Sequence, residues 1–404
     1  MTTVFMNLPN ITKLKNLKGK RVLLRVDFNV PIKDNTVADD FRIQKVIPTL
    51  EFLKNAGAKI IILSHIGREK TDSLAPVSLK LGEKIPHFFV EDFESEEGKN
   101  TLTSLKNGEV ALVQNLRKWD GEKASDKKFA KSLAVFGDIF VNEAFAVSHR
   151  KDASVFELPK LLPSYFGTLF VNEVENLSLA FKKHKPFLAI LGGAKFETKM
   201  PLVKKYLVSA DTVFVGGALA NTFYKLKGHE IGTSITDEAT PAMKALLKNK
   251  KLVLPFDVVV DGPNGKVVRS PDELEATEKI QDDGPETVKM LEEQIKKAKF
   301  VLWNGPLGYY EGGFDGATLA VATALSKSNV QAVVGGGDTV AAIEKIGKSP
   351  ASLKATQGKK NIFVSTAGGA MLDFLAKGTL PAIDVVMKKA LRLPTVAQGK
   401  KKEN

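Results

Sequence analysis

The sequence contains no cysteine. That excludes a disulfide framework, a thiolate zinc site, an iron–sulfur cluster and a cysteine nucleophile. Long apolar runs are missing too. The longest stretch free of charge extends from Thr212 to Tyr224, short of the ~20 residues that cross a bilayer. No Lys or Arg precedes Lys13 and no apolar core of signal-peptide type is visible, so the expectation is a cytoplasmic chain with no removable targeting segment and no membrane partner.

Several motifs are also absent. Gly347-Lys348-Ser349 comes nearest to a Gly-x-x-x-x-Gly-Lys-Ser/Thr P-loop, but Ala342 stands where the first glycine should be. A Gly-x-Gly-x-x-Gly fingerprint fails likewise, because the run beginning at Gly335 meets Val340 at its last position, which weakens a nicotinamide-dehydrogenase reading. The five histidines form no His-Glu-x-x-His pair. Aromatics make up 8% and are not interleaved with basic stretches, which argues against a platform for single-stranded nucleic acid.

What is present is an ordinary globular composition. The 404 residues, 43% hydrophobic and 26% charged, suit two folded domains. Lys and Arg total 59 against 46 Asp and Glu, a formal charge of +13; nucleic acid, a small anionic substrate and plain solubility all remain open on that ground. Lys400, Lys401 and Lys402 read as a frayed, solvated end.

Short apolar runs recur at Val22–Val26, Lys59–Leu63, Val110–Val113, Ile139–Val141, Phe187–Leu191, Val213–Val215, Val258–Val260, Phe300–Trp303, Ala332–Val334 and Ile362–Val364. Each reads as a buried strand. Most lead into helical periodicity, as in Ile43, Val46, Ile47, Leu50 and Leu53, closing at Asn55-Ala56-Gly57. Strands alternating with helices predict an α/β fold built on doubly wound parallel sheets. One domain is expected over 1–170 and another over 186–380, with a polar helix over 171–185 between them.

Ligands of such sheets bind beyond the carboxyl ends of the strands, and there the two halves differ. The first half ends its strands in Asp27 and Asn29, Ser64-His65-Ile66-Gly67-Arg68, Asn115-Leu116-Arg117 and Asn142-Glu143 leading on to His149-Arg150. Arginine's planar fork matches carboxylate or phosphate with two parallel hydrogen bonds, so Arg25, Arg42, Arg68, Arg117 and Arg150 along one rim suit a small, doubly anionic molecule. Taken singly, each also reads as a surface charge. The second half ends its strands in Gly192-Gly193, Gly216-Gly217, Asn304-Gly305-Pro306, Gly335-Gly336-Gly337 and Gly368-Gly369, where missing side chains admit a phosphorylated ligand to the backbone. Lys195 and Lys199, four residues apart at a helix start, are expected to face the same way and to favour an anion there. Asp338 and Thr339 follow three glycines, a place for phosphate and Mg²⁺ or simply for a tight turn and helix cap.

Taken in order, Arg25-Val-Asp27-Phe28-Asn29-Val-Pro31, Ser64-His65-Ile66-Gly67-Arg68, Gly192-Gly193-Ala-Lys195, Ala220-Asn221-Thr222-Phe223, Trp303-Asn304-Gly305-Pro306, Gly336-Gly337-Asp338-Thr339 and Ser365-Thr366 closely resemble phosphoglycerate kinases, over about Leu17 to Pro381. That resemblance implies two Rossmann-like domains joined by a hinge helix, the segment 381–404 returning to the first domain, and a monomer. It also implies reversible transfer of a phosphoryl group from 1,3-bisphosphoglycerate to MgADP, giving 3-phosphoglycerate and ATP, in glycolysis and gluconeogenesis.

By resemblance, 3-phosphoglycerate would meet Asp27, Phe28, Asn29, Arg42, His65, Ile66, Gly67, Arg68, Arg117 and Arg150. The nucleotide would meet Gly193, Lys195, Lys199, Asn304, Pro306, Gly336, Gly337, Asp338 and Thr339, with Gly216, Gly217 and Gly284 around the adenine, Glu311 on the ribose and Asp338 on the metal. Arg42, Lys195 and Lys199 would be catalytic, Arg42 and Lys195 approaching the transferring group from opposite domains on closure. The chain departs from the family at Glu143, where Asp is usual, at Ala146 and Ala367, where glycine is usual, and at Thr198, where many members carry Asp.

Overall fold

The fold was analysed in a computed structural model, in which the described residues are 7–263, 265–347 and 361–390. Alternation along the strands dictates the first sheet. In Arg21–Arg25, Val22 and Leu24 join one apolar cluster and Leu23 another; in Lys59–Leu63, Ile60 and Ile62 go with the first, Ile61 and Leu63 with the second. Successive side chains point to opposite faces, so both faces are apolar and both need helices over them. Six parallel strands result, in spatial order Phe88–Val90, Val110–Val113, Lys59–Leu63, Arg21–Arg25, Ile139–Asn142 and Ser164–Phe166. Helix Phe41–Asn55 covers one face with Ile43, Val46, Leu50 and Leu53 and stops where Gly57 turns at φ +72°.

The second sheet is also six-stranded and parallel, in the order Leu252–Val253, Thr212–Val215, Phe187–Leu191, Phe300–Asn304, Gln331–Gly335 and Ile362–Val364. Trp303 is buried in its core and spends its indole N–H on the Gly305 carbonyl at 3.0 Å, satisfying the one polar atom it takes inside.

The run Val258–Val260 does not belong to this sheet as expected. It is the middle strand, Val258–Gly262, of a separate antiparallel sheet with Gly265–Arg269 and Lys279–Asp283. The physical reason is local: Gly262 pairs with Gly265 across a tight reversal, so the next strand hydrogen-bonds back at once instead of crossing over through a helix.

The chain divides into two compact units, Met1–Glu175 with Lys377–Asn404, and Asn176–Ala376. The polar segment expected as one helix over 171–185 is an α-helix, Thr168–Leu177, followed by a 3₁₀ turn, Ser178–Phe181. Helix Pro381–Ala390 packs within the first unit. Ala382 joins Ala144, Val147 and Val155, and Lys389 Nζ donates to the carbonyls of Lys160 and Leu162 at 3.0 and 2.7 Å. Residues 391–404 of the expected returning segment lie outside the described residues.

Candidate active site

In the first unit the strand ends converge on His65. Ser64 Oγ accepts the Phe28 N–H at 3.0 Å and donates to the Val26 carbonyl, stitching two adjacent strand ends. Asn29 Oδ1 accepts the Gly67 N–H at 2.9 Å, and the Asn115 side chain brackets Ile66, taking its N–H and donating to its carbonyl. Gly67 sits at φ +62°, and a Cβ there would fall 1.8 Å from Asp72 Oδ2. Asp72 uses that same oxygen to accept the N–H groups of Arg68 and Glu69, so the loop carrying Arg68 requires glycine beside it.

Four cations surround this floor in different ways. Arg42 Nη1 donates to Asp27 Oδ2 at 2.6 Å and to the Asn29 carbonyl at 3.1 Å. Arg117 is buried and donates to the Gly67 carbonyl, whereas Arg68 and Arg150 are exposed. Arg25, expected on the rim with them, is instead wholly enclosed, with 0% of its surface exposed. It is the last residue of strand Arg21–Arg25 and not part of the loop that follows.

His65 is 2% exposed. Its pKa lies well below the ordinary imidazole value, first because burial penalises the charged ring and then because Arg25, Arg117, Arg150 and Arg42 repel a proton. Burial also lowers Arg117, and the charge of Arg150 lowers it further. Arg150 therefore works on the same patch as Arg117 and His65, although its loop departs from the family pattern at Ala146.

In the second unit glycines let the strand ends close on one another. A Cβ on Gly305, at φ +98°, would stand 2.2 Å from the Gly192 carbonyl oxygen and 2.7 Å from Lys199 Nζ. Gly193 N–H donates to the Pro306 carbonyl at 2.7 Å, and the Gly305 N–H to Thr339 Oγ1 at 3.1 Å. The loops of Gly193, Gly305 and Gly336 line a cavity of about 690 Å³, together with Lys195, Lys199, Gly217, Asn304, Pro306, Gly337 and Glu311. That is the size range of a small-molecule site.

The two lysines expected to face the same way both line this cavity but differ in burial. Lys195 occupies the N-cap position of helix Phe196–Ser209 with its side chain exposed. Lys199 is only 6% exposed; its ammonium donates to the Gly192 and Asn304 carbonyls at 3.0 and 2.9 Å and to Asn304 Oδ1. Lys195 precedes the helix, with φ −88° and ψ 89° outside the helical range, so the four-residue helical spacing does not relate the two side chains.

Gly216, Gly284 and Thr339 stand behind the cavity wall, not in it. The space beside Gly216 is filled by Asp283 and that beside Gly284 by Asp257. Asp338 lies in the first turn of helix Gly337–Gly347, and its side chain is outside the described residues.

Sequence reasoning also missed part of the wall: Asn221, Ile235, Lys279, Asp282 and Tyr309 line the same cavity. Two of them come from the antiparallel strand Lys279–Asp283, of whose end only Gly284 was expected at the site. The signal available was the acid pair Asp282-Asp283 before Gly284-Pro285. Asp282 accepts the Ala317 and Asp283 N–H groups, yet burial dominates and pushes its pKa up to about 7. Asp283 is fully enclosed with Oδ2 unpartnered, and burial first, then Asp282, raises its pKa well above the ordinary aspartate value.

One unit thus carries a basic patch at its strand ends and the other a glycine-lined cavity. The family model for phosphoglycerate kinase matches residues 11–378. The chain belongs to the phosphoglycerate kinase family. Among its relatives, phosphoglycerate kinase of Dictyoglomus turgidum is 37% identical over 396 residues, 93% of this chain and 97% of the relative. The Francisella tularensis enzyme is 38% identical over 399 residues, 93% and 98% respectively. The solved structure of phosphoglycerate kinase from Coxiella burnetii aligns with a TM-score of 0.79 at 35% identity, covering 95% of this chain and all of that one. That from Pyrococcus horikoshii aligns with 0.81 at 29%, covering 94% and 98%.

As a phosphoglycerate kinase, the chain is a glycolytic phosphotransferase with a carboxyl group as acceptor, acting on small molecules and using ATP or ADP with Mg²⁺. The residues present fit such a metal. Magnesium delivered on nucleotide phosphates needs only one or two protein carboxylates, and the carboxylates of Asp282 and Glu311 line the cavity. Among the described residues, no helix is long and apolar enough to cross a membrane.

Proposed function

We propose that the His65 patch of the first unit binds 3-phosphoglycerate and that the cavity of the second binds the nucleotide. The observation that carries the reading is the repulsion at His65: four guanidinium groups act on one buried ring. Gathering like charge costs free energy unless an anion neutralises it. In this reading Arg42, Arg68, Arg117 and Arg150 hold the acid's charges. Asn29 and Gly67 set the loop that presents them.

In the second unit, Lys195 meets the terminal phosphates, the backbone at Gly193, Gly336 and Gly337 cradles them, and Asp338 holds the metal. Ile235 and Tyr309, both exposed apolar side chains on the cavity wall, enclose the base, with Glu311 at the ribose. Lys199 acts differently from the expectation: it fixes the two carbonyl-bearing loops and lends its charge from beneath them.

The acceptor carboxylate of 3-phosphoglycerate is already ionised at neutral pH, so no general base is required. The residues' work is alignment and neutralisation of the charge spread over the equatorial phosphoryl oxygens, which Arg42 and Lys195 supply. Bound magnesium adds charge neutralisation on the phosphates. We further infer a cytoplasmic monomer with no nucleic-acid partner.

A coupled assay of ATP-dependent phosphorylation of 3-phosphoglycerate, run on wild type, Arg42→Ala and Lys195→Ala, tests these roles. Losses of about 10²-fold or more in kcat are expected for each, as for other groups that stabilise transition-state charge. Full turnover at saturating substrates would remove both residues from the transferring group. Sedimentation across a concentration range tests the monomer.

A further inference from the structure

Beneath the proposed acid-binding patch lies a second layer of polar groups, buried and fully engaged. Arg25 divides its guanidinium among three partners. Nε donates to Ser154 Oγ at 2.8 Å, Nη1 to the Val26 carbonyl, and Nη2 lies 3.2 Å from His65 Nδ1. Ser154 passes the pattern on: its hydroxyl donates to Glu122 Oε1 at 2.6 Å and its N–H to Oε2 at 2.9 Å. The Glu122 carboxylate is itself enclosed and stands 3.7 Å from Arg25 Nη2.

Direction follows from chemistry. An arginine side chain has donors only and keeps its proton throughout the physiological range. His65 Nδ1, facing one of those donors, can only accept; a proton on it would set two N–H groups head to head. Protonating both nitrogens meets the same obstacle, in a buried ring on which Arg25, Arg117, Arg150 and Arg42 all act. The carboxylate facing the ring, Asp27, has Oδ1 3.9 Å from Nδ1, beyond hydrogen-bond distance, and gives Oδ2 to Arg42. A neutral imidazole whose Nδ1 accepts carries its single proton on Nε2.

We propose that Arg25, held by Ser154 and Glu122, is a positioning residue that locks His65 in its Nε2–H tautomer, so that the ring offers the acid substrate a neutral hydrogen-bond donor. The opposite tautomer would turn a lone pair toward an anion. With the guanidinium groups supplying the charge, the ring contributes direction, and its contribution stays constant with pH because its protonation does not change. The tautomer is a property of this chain alone; its use on substrate rests on the binding reading proposed above.

The full chain, labelled with ¹⁵N-histidine and free of ligand, tests the first half by long-range ¹H–¹⁵N correlation. His65 is expected to show an unprotonated Nδ1 and a protonated Nε2, unchanged between pH 6 and 8. A protonated Nδ1 overturns the proposal. Ser154→Ala frees Arg25 Nε with little change in volume and is expected to mix the two tautomers. KM for 3-phosphoglycerate should rise about tenfold, the scale of one hydrogen bond, with kcat within about twofold and KM now varying with pH. Ser154→Thr, which keeps the hydroxyl, should restore the wild-type pattern. If Arg25→Met, checked for folding by its histidine spectrum, leaves both tautomer and KM as in wild type, Arg25 is not the positioning residue. Addition of 3-phosphoglycerate separates the two readings: if the tautomer is as stated but Nε2 does not shift on saturation, the substrate half of the proposal falls together with the binding site.

Discussion

Glu143 fills the space that a Cβ on Gly167 would need, its Oε2 lying 2.1 Å from that position. From there the carboxylate accepts the Leu169 and Phe170 N–H groups at 3.0 Å each, together with the Thr49 hydroxyl. It thereby caps the start of helix Thr168–Leu177, whose first N–H groups have no partner within the helix. An aspartate, shorter by one methylene, would reach less far into this gap, so the departure at Glu143 and the glycine at 167 form one fit.

Burial outweighs these donors and pushes the Glu143 pKa up to about 7 from the ordinary glutamate value of 4.5. Between those values the folded state binds more protons than the unfolded one. Stability from this group is therefore highest below the unfolded value and declines as pH rises through the folded one. Glu143→Gln should flatten the fall of thermal stability between about pH 5 and 8, removing a component of about 3 kcal/mol at most. Melting curves at intervals of pH give the answer; identical slopes would show that the carboxylate does not titrate in this window.

Gly67→Ala strains a left-handed backbone, a cost of about 1–2 kcal/mol, and drives its Cβ into Asp72. The loop holding Arg68 should shift, so that KM for 3-phosphoglycerate rises severalfold while nucleotide KM is unchanged. Equal changes in both would mean that the substitution unfolds the protein generally.

Lys195 and Lys199 should separate in one experiment. Lys199→Met takes the ammonium donor from the Gly192 carbonyl and Asn304 Oδ1 and leaves the Asn304 carbonyl with the Gly192 N–H alone, costing about 2–4 kcal/mol of stability as well as activity. Lys195→Met, at an exposed position, should keep stability within about 0.5 kcal/mol of wild type while losing turnover. Denaturant melts beside the kinase assay distinguish them; equal stability of the two variants would contradict the burial difference.

Lys389→Met removes the ammonium shared by the carbonyls of Lys160 and Leu162. Hydrogen exchange in helix Pro381–Ala390 should quicken by about tenfold, as one charge-assisted bond is lost, with the rest of the first sheet unaffected. Unchanged protection would assign the docking of this helix to Ala382 and its apolar neighbours alone.

Much of the fold was readable in the sequence because period-two and period-3.6 patterns act over a few residues. Lys59–Leu63, Val110–Val113, Phe187–Leu191 and Ile362–Val364 emerge with the very bounds their apolar runs suggested. Edge strands such as Phe88–Val90 and Leu252–Val253 escaped notice, being short and half-exposed. Val258–Gly262 was legible as a strand but not as antiparallel, since pairing partner is not written in a strand's own pattern.

The sequence by itself determined which residue types stand at the strand ends: arginines and a histidine in one half, glycines and lysines in the other, in an order that resembles phosphoglycerate kinases. Only the tertiary structure decided which of them face outward. It enclosed Arg25 and Lys199 and left Lys195 and Arg150 exposed, because the orientation of a long side chain depends on which carbonyls and carboxylates lie within its reach. Those partners, Glu122 for Arg25 and Asn304 for Lys199, are separated from them by about a hundred residues in sequence and meet only when the sheets form.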